Sequence, residues 1–204
     1  MTLILEGVSL PRGKVRNLDV TFNAGVHLIV GPNGVGKTSL LNAIAGTLPL
    51  SAGSIRLDGK PLTSGSGAVV LAPNAPPEIP WIRAGLLLDF IVSLYPATRR
   101  DAAAAADILA RFGLTEVLDA PLGTLSAGSA RKLLLTAALV AAPAVMLFDE
   151  PTNEIDAASV AALLESLADA ARDRVVLITT HHVGDLATLA PTVLSLRPGD
   201  QPIG

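Results

Sequence analysis

Cysteine is missing from all 204 residues. Its absence excludes disulfides, thiolate metal sites and cysteine nucleophiles, and it is compatible with a cytosolic chain. An excess of either charge is missing too: the formal net charge is -3 and the isoelectric point is near 5.5. With no broad basic surface, no nucleic-acid partner is expected. Mean hydropathy is high at +0.53, yet no apolar run reaches the ~20 residues that a spanning helix needs. The best candidate, "LLLTAALVAAPAVMLF" at 133–148, contains Pro143 and runs into Asp149 and Glu150. It reads as a buried helix followed by a buried strand. The opening "MTLILEGVSLP" has no basic leader and no long apolar core, so it does not read as a secretion signal and the chain is expected to stay in the cytosol. There is no internal repeat, and the alanines at 102–106 read as helix propensity rather than low complexity.

The length suits one well-buried core, divided at most into two lobes. "TLILEGVSL", "LDVTF" and "VHLIV" read as strands, the last stopping at Gly31, and a helix is expected from about Lys37 to Ala45. "GSIRLDG" reads as an edge strand and turn, and "GAVVLAP" as a short buried strand closed by Pro73. From Asn74 to about Ala142 the chain turns to helix-forming sequence with proline breaks and no convincing strand. There Asp101 is a candidate N-cap, Ile108 and Phe112 share one face, and Gly113 stands where the helix should stop. "AVMLFDE" and "RVVLITT" restore buried strands. Between them an amphipathic helix is expected to turn Val160, Leu163, Leu164 and Leu167 inward. The pattern is an α/β lobe interrupted by a helical insertion.

"GPNGVGKT", residues 31–38, follows an expected strand and opens an expected helix. Glycines let the backbone wrap an anion, while the following N–H groups and the helix dipole supply positive potential. Lys37 is placed to reach the β- and γ-phosphates of a nucleotide and Thr38 to offer its hydroxyl to Mg²⁺. Such a match arises by chance in a chain this long on the order of once in a hundred. "VMLFDE" ends in two carboxylates at an expected sheet edge: Asp149 suits Mg²⁺, and Glu150 suits polarising an attacking water. Taken alone, the pair also fits a cap on "PTNEIDAAS". His181 lies just beyond an expected strand, where it is either a structural residue or a hydrogen-bond donor to a γ-phosphate.

The order "GPNGVGKT", "LSAGS" (125–129), "VMLFDEP", "NEID" and "TTHH" resembles the nucleotide-binding subunit of ATP-binding cassette (ABC) transporters across nearly the whole chain. The resemblance implies a P-loop NTPase fold: a RecA-like core with an ABC β-subdomain (1–73 and 143–204) and an inserted helical subdomain carrying the signature motif (74–142). It implies ATP hydrolysis with ATP and Mg²⁺ as cofactors, at a head-to-tail homo- or heterodimer in which each nucleotide lies between one phosphate loop and the other subunit's LSxGx segment. A separate transmembrane permease subunit is the implied partner, and the implied location is cytoplasmic, peripheral on the inner face of the cell membrane.

Carried over by position, Asn33, Gly34, Val35, Gly36, Lys37, Thr38 and Ser39 bind nucleotide, and Thr38, Asp149 and Asn74 serve the metal. Glu150, His181 and Asn74 are the catalytic set. Ser126 and Gly128 make γ-phosphate contacts in trans, and Asp156 is the D-loop aspartate. Three departures stand out. Asn74 replaces the family's Q-loop glutamine with one methylene less reach, Ala127 and Ser129 replace the signature's second glycine and its glutamine, and "SLPRGK" has no adenine-stacking aromatic, leaving Arg12 to stack instead. The aromatics Trp81, Phe90 and Tyr95 either fill the helical core or line the groove that, in the family, receives the membrane partner. Alternative readings are a soluble ABC-type ATPase acting as an assembly or mechanical factor, a low-turnover regulatory nucleotide-binding subunit, and a small P-loop kinase, which leaves LSAGS and His181 without a role.

Overall fold

A computed structural model describes residues 1–11 and 14–197. Its centre is a parallel sheet of β3 (Gly25–Val30), β6 (Val69–Ala72), β7 (Val145–Asp149), β8 (Val175–Thr179) and β9 (Thr192–Ser195). The order is β6-β7-β8-β3-β9. Strands covered on both faces need continuous apolar runs, and every residue of β7 and β8 is buried. Their side chains alternate between two cores. Met146, Phe148, Val176 and Ile178 enter one, with the inserted helices; Val145, Leu147, Val175 and Leu177 enter the other, with α1 (Lys37–Ile44). An antiparallel sheet closes this second core, with β1 (Thr2–Ser9), β2 (Leu18–Asn23), β4 (Ala52–Leu57) and the two-residue β5 (Lys60–Pro61) in the order β2-β1-β4-β5.

Between β6 and β7 lie α2 (Ala84–Ser93), α3 (Ala102–Arg111) and α4 (Ala127–Ala141). Asp101 caps α3 by accepting from the Ala104 amide at 2.9 Å. Ile108 and Phe112 are buried, and Gly113 follows at φ 64°. α4 is buried all round from Ala130 to Ala141 except at Lys132, which is why its sequence has no polar face and mimics a membrane segment. It ends where Ala142 turns left-handed (φ 41°) ahead of Pro143. Among the described residues, no helix is long and apolar enough to cross a membrane.

Three expectations change. The "GSIRLDG" strand is interior, paired with both β1 and β5. "GAVVLAP" forms the edge strand β6, in which only Val70 and Ala72 are buried, because β7 is its sole neighbour among the described residues. On α5 (Ala157–Ala170) the buried stripe is Ser159, Ala162, Leu163, Ser166, Leu167 and Ala170, leaving Val160 and Leu164 half-buried at its border. "RVVLITT" is a buried strand as expected, and a further strand without a sequence signal, β9, follows it after a 3-10 segment at Val183–Leu189 and extends the sheet beyond β3.

Candidate nucleotide site

The C-terminal ends of β3, β7 and β8 open on one cleft of about 390 Å³, where ligands gather in open parallel sheets. Asn33, Gly34, Gly36, Lys37, Thr38 and Ser39 form one wall; Asn74, Asp149, Glu150 and His181 form the rest. Six expected phosphate-loop residues and four expected metal or catalytic residues therefore share one space. Val35 does not line it. Its side chain is buried among Leu40, Leu41 and Val15 and anchors the loop to the second core.

Gly36 begins α1 at φ 116°, a conformation that L side chains rarely adopt. It has no side chain to cap the helix and the first turn holds no acid, so the amides there are left to an incoming anion. Lys37 Nζ crosses the loop to donate to the Gly31 carbonyl at 2.9 Å and lies 3.4 Å from His181 Nε2.

Asp149 gathers two hydroxyls. Thr38 Oγ1 donates to its carboxylate at 3.0–3.1 Å, and Thr179 Oγ1 donates at 2.5 Å. Glu150 follows at φ 51°. One of its oxygens accepts from the His181 amide at 3.1 Å, and the other lies 3.1 Å from His181 Nε2. That nitrogen faces both Lys37 and Glu150, and it cannot accept from one while donating to the other; the His181 tautomer selects the partner.

Two neighbours carried no motif. Thr179, fully buried, donates to Asp149 and accepts from the Glu150 amide at 3.1 Å. Arg131 is 1% exposed. Its guanidinium donates to the carbonyls of Pro73 and Asp149 and, at 2.9 Å, of Glu150. Burial pulls the Arg131 pKa below its ordinary value, against the opposing fields of Asp149, Glu154 and Glu150. The only sequence signals were a hydroxyl at the end of a buried strand and a pair of adjacent cations, Arg131 and Lys132, in an otherwise apolar helix.

Ser126, Gly128 and Asp156 do not line the cleft. Ser126 is the N-cap of α4, accepting from the Ser129 amide at 3.0 Å. Gly128 lies so close to the next loop that an added Cβ would come within 2.6 Å of the Glu154 carbonyl. Ala127 is an exposed first helical residue, so its methyl imposes no strain within this chain. Asp156 caps α5 through Ser159 and pairs with Lys132 at 3.2 Å. The Ser159 backbone and side-chain hydrogen bonds, then Lys132, pull its pKa down to about 2. Arg12 lies outside the described residues. Of the three aromatics, Trp81 and Phe90 are 75% and 60% exposed, while Tyr95 packs against the core and donates to the Val69 carbonyl at 2.8 Å.

The ABC transporter family model matches residues 15–153. The phosphonates import ATP-binding protein PhnC of a Polaromonas species is 32% identical, aligned over 91% of this chain and 74% of that protein. The cytochrome c biogenesis ATP-binding export protein CcmA of Pseudomonas putida is 36% identical over 89% of this chain and 91% of its own length. A solved ATP-binding subunit of an ABC transporter superposes with a TM-score of 0.86 at 20% identity, covering 98% of this chain and 87% of that one, which supports the P-loop NTPase fold. The match over most of its length and the identity to curated subunits show that the chain belongs to the ABC transporter family, as an ATP-binding subunit.

Proposed function

We propose that the chain hydrolyses ATP to power transport through a separate membrane-spanning permease, working as a head-to-tail dimer of ATPase subunits. The observation that carries this reading is the convergence of Lys37, Thr38, Asp149, Glu150 and His181 on one cleft at an uncapped helix start. Residues 74–142 would act as the helical subdomain that presents Ser126 and Gly128 to the other subunit's nucleotide. The remaining lobe would hold the phosphate loop, with Asp156 at the junction between subunits.

The residues fit the ligands. Lys37 and the amides of 33–39 would hold the phosphates. A hydroxyl and a carboxylate 3.0 Å apart, Thr38 and Asp149, form an all-oxygen pair suited to Mg²⁺, which keeps several waters and takes its other ligands from phosphate. When bound, the ion neutralises charge on the phosphate oxygens. Glu150 would take the proton of the water that attacks the γ-phosphorus, as the bond to the β-phosphate oxygen breaks to leave ADP and phosphate. His181, beside both Glu150 and Lys37, would sense the γ-phosphate, and Asn74 would orient the water. Loss of that phosphate weakens the cross-dimer contacts and reopens the dimer. The groove of about 680 Å³ bordered by Trp81, Leu86 and Leu118, with the exposed Phe90 near it on α2, would receive the permease. The subunit would then sit on the cytoplasmic face of the membrane.

The test is Glu150→Gln. It is expected to keep Mg-ATP binding, lose about 100-fold or more of turnover and accumulate as a closed dimer on gel filtration with ATP. Unchanged hydrolysis would remove Glu150 from the mechanism. Copurification of the tagged chain with a polytopic membrane protein checks the transport assignment, which isolation with soluble assemblies alone would refute.

A further inference from the structure

We propose that Arg131 is a positioning residue for Glu150, acting through the peptide groups of residues 149 and 150 and without touching nucleotide. The inference rests on the reading of Glu150 as the group that activates water.

Glu150 leaves β7 at φ 51°, a left-handed backbone that is uncommon for a residue with a Cβ and that local contacts can hold in place. The carboxylate end is fixed by His181, whose amide donates at 3.1 Å. On the backbone, the Glu150 amide donates to Thr179, and the carbonyls are held by Arg131, which donates through Nη2 to those of Asp149 and Glu150, on either side of the Glu150 Cα, and through Nη1 to the Pro73 carbonyl. One planar fork thus ties the end of β6, just before Asn74, to the turn that aims Glu150. The β6–β7 pairing ends at Ala72 and Phe148, and the fork holds the two segments together just beyond that end.

The guanidinium is not in place for its own satisfaction. It is 1% exposed on a helix otherwise packed with leucine and alanine, and its Nε has no partner among the described residues. A buried cation with an unpaired N–H is weak as a stabilising device; three carbonyls held at the lip of the cleft give it a different use. The helix that carries it is tied twice more to the same loop, by Gly128 against the Glu154 carbonyl and by Lys132 to Asp156.

Arg131→Met keeps length and packing while removing every donor, and Arg131→Lys keeps the charge but loses the fork. In steady-state ATPase assays Arg131→Met is expected to lower kcat about tenfold or more with KM for Mg-ATP within about twofold of wild type; Arg131→Lys falls between. The decisive comparison is the double variant. If Arg131 acts by aiming Glu150, Arg131→Met causes no further loss once Glu150→Gln is present. A residue that merely supports packing lowers activity by the same factor in both backgrounds, and that result overturns the proposal, as does a wild-type kcat in Arg131→Met. Should Arg131→Met fail to fold, the Arg131→Lys pair of single and double variants carries the same comparison. Wild-type turnover in Glu150→Gln alone would instead overturn the reading of Glu150, a separate failure.

Discussion

Thr179→Val removes one oxygen from the centre of the site at almost constant shape. The Thr179 side chain is fully buried and its hydroxyl reaches Asp149 Oδ1 at 2.5 Å. A hydrogen bond to a charged group contributes about 1.5–3 kcal/mol, and among the described residues valine leaves that carboxylate with only the Thr38 hydroxyl. The Glu150 amide loses less, because it also reaches the Thr179 main-chain carbonyl at 3.1 Å. The expected destabilisation is thus about 1.5–3 kcal/mol, nearly all from Asp149. Thr179→Ser makes the opposite exchange, keeping the hydroxyl and deleting a buried methyl at about 0.8 kcal/mol. Urea unfolding read by circular dichroism should rank wild type above serine and serine above valine, with the denaturant slope unchanged. If shape rather than the hydroxyl governs this position, valine outranks serine. That order, or a valine variant within about 0.5 kcal/mol of wild type, would refute the reasoning.

Gly128→Ala places a methyl 2.6 Å from the Glu154 carbonyl; because backbone must move, a loss of about 1–3 kcal/mol is expected in the same assay, and an unchanged midpoint would mean that the loop yields freely. Asp156 has a folded pKa of about 2 against an ordinary value of 3.8, so its contribution is present above pH 3.8 and is lost as the pH falls through about 2. Asp156→Asn should accordingly melt below wild type at neutral pH, with the gap constant down to about pH 4 and closing toward pH 2; a gap that widens on acidification contradicts this.

The phosphate loop was legible because its residues are consecutive at a strand–helix junction, and local chemistry alone dictates glycine, lysine and threonine there. The parallel strands were legible wherever both faces are covered, as in β7 and β8. What escaped depends on distant pieces meeting. Thr179 and Asp149 are 30 residues apart, and Arg131 is 18 from Asp149, so neither bond has a local pattern. β9 was missed because an edge strand with Thr192, Val193 and Ser195 exposed has no buried run to announce it. On α5 the leucine spacing pointed to Val160 and Leu164, but Ser159, Ala162, Ser166 and Ala170 are small enough for the helix to approach its neighbours closely, and they define the buried stripe instead. For the aromatics between 81 and 95, composition is silent on direction: Trp81 and Phe90 face outward and Tyr95 packs inward.

The apolar face on and before α2 also governs how the protein behaves when alone. Trp81, Leu86, Phe90 and Leu94 are all more than half exposed, and a cluster of that kind is adhesive toward any apolar surface it meets. Salts that strengthen hydrophobic contact will encourage self-association of isolated chains, whereas mild detergent will suppress it. If a permease covers this face as proposed, a copy without it would present the patch to chaperones and proteases, and the amount of chain that survives would be set by the amount of that partner rather than by synthesis alone.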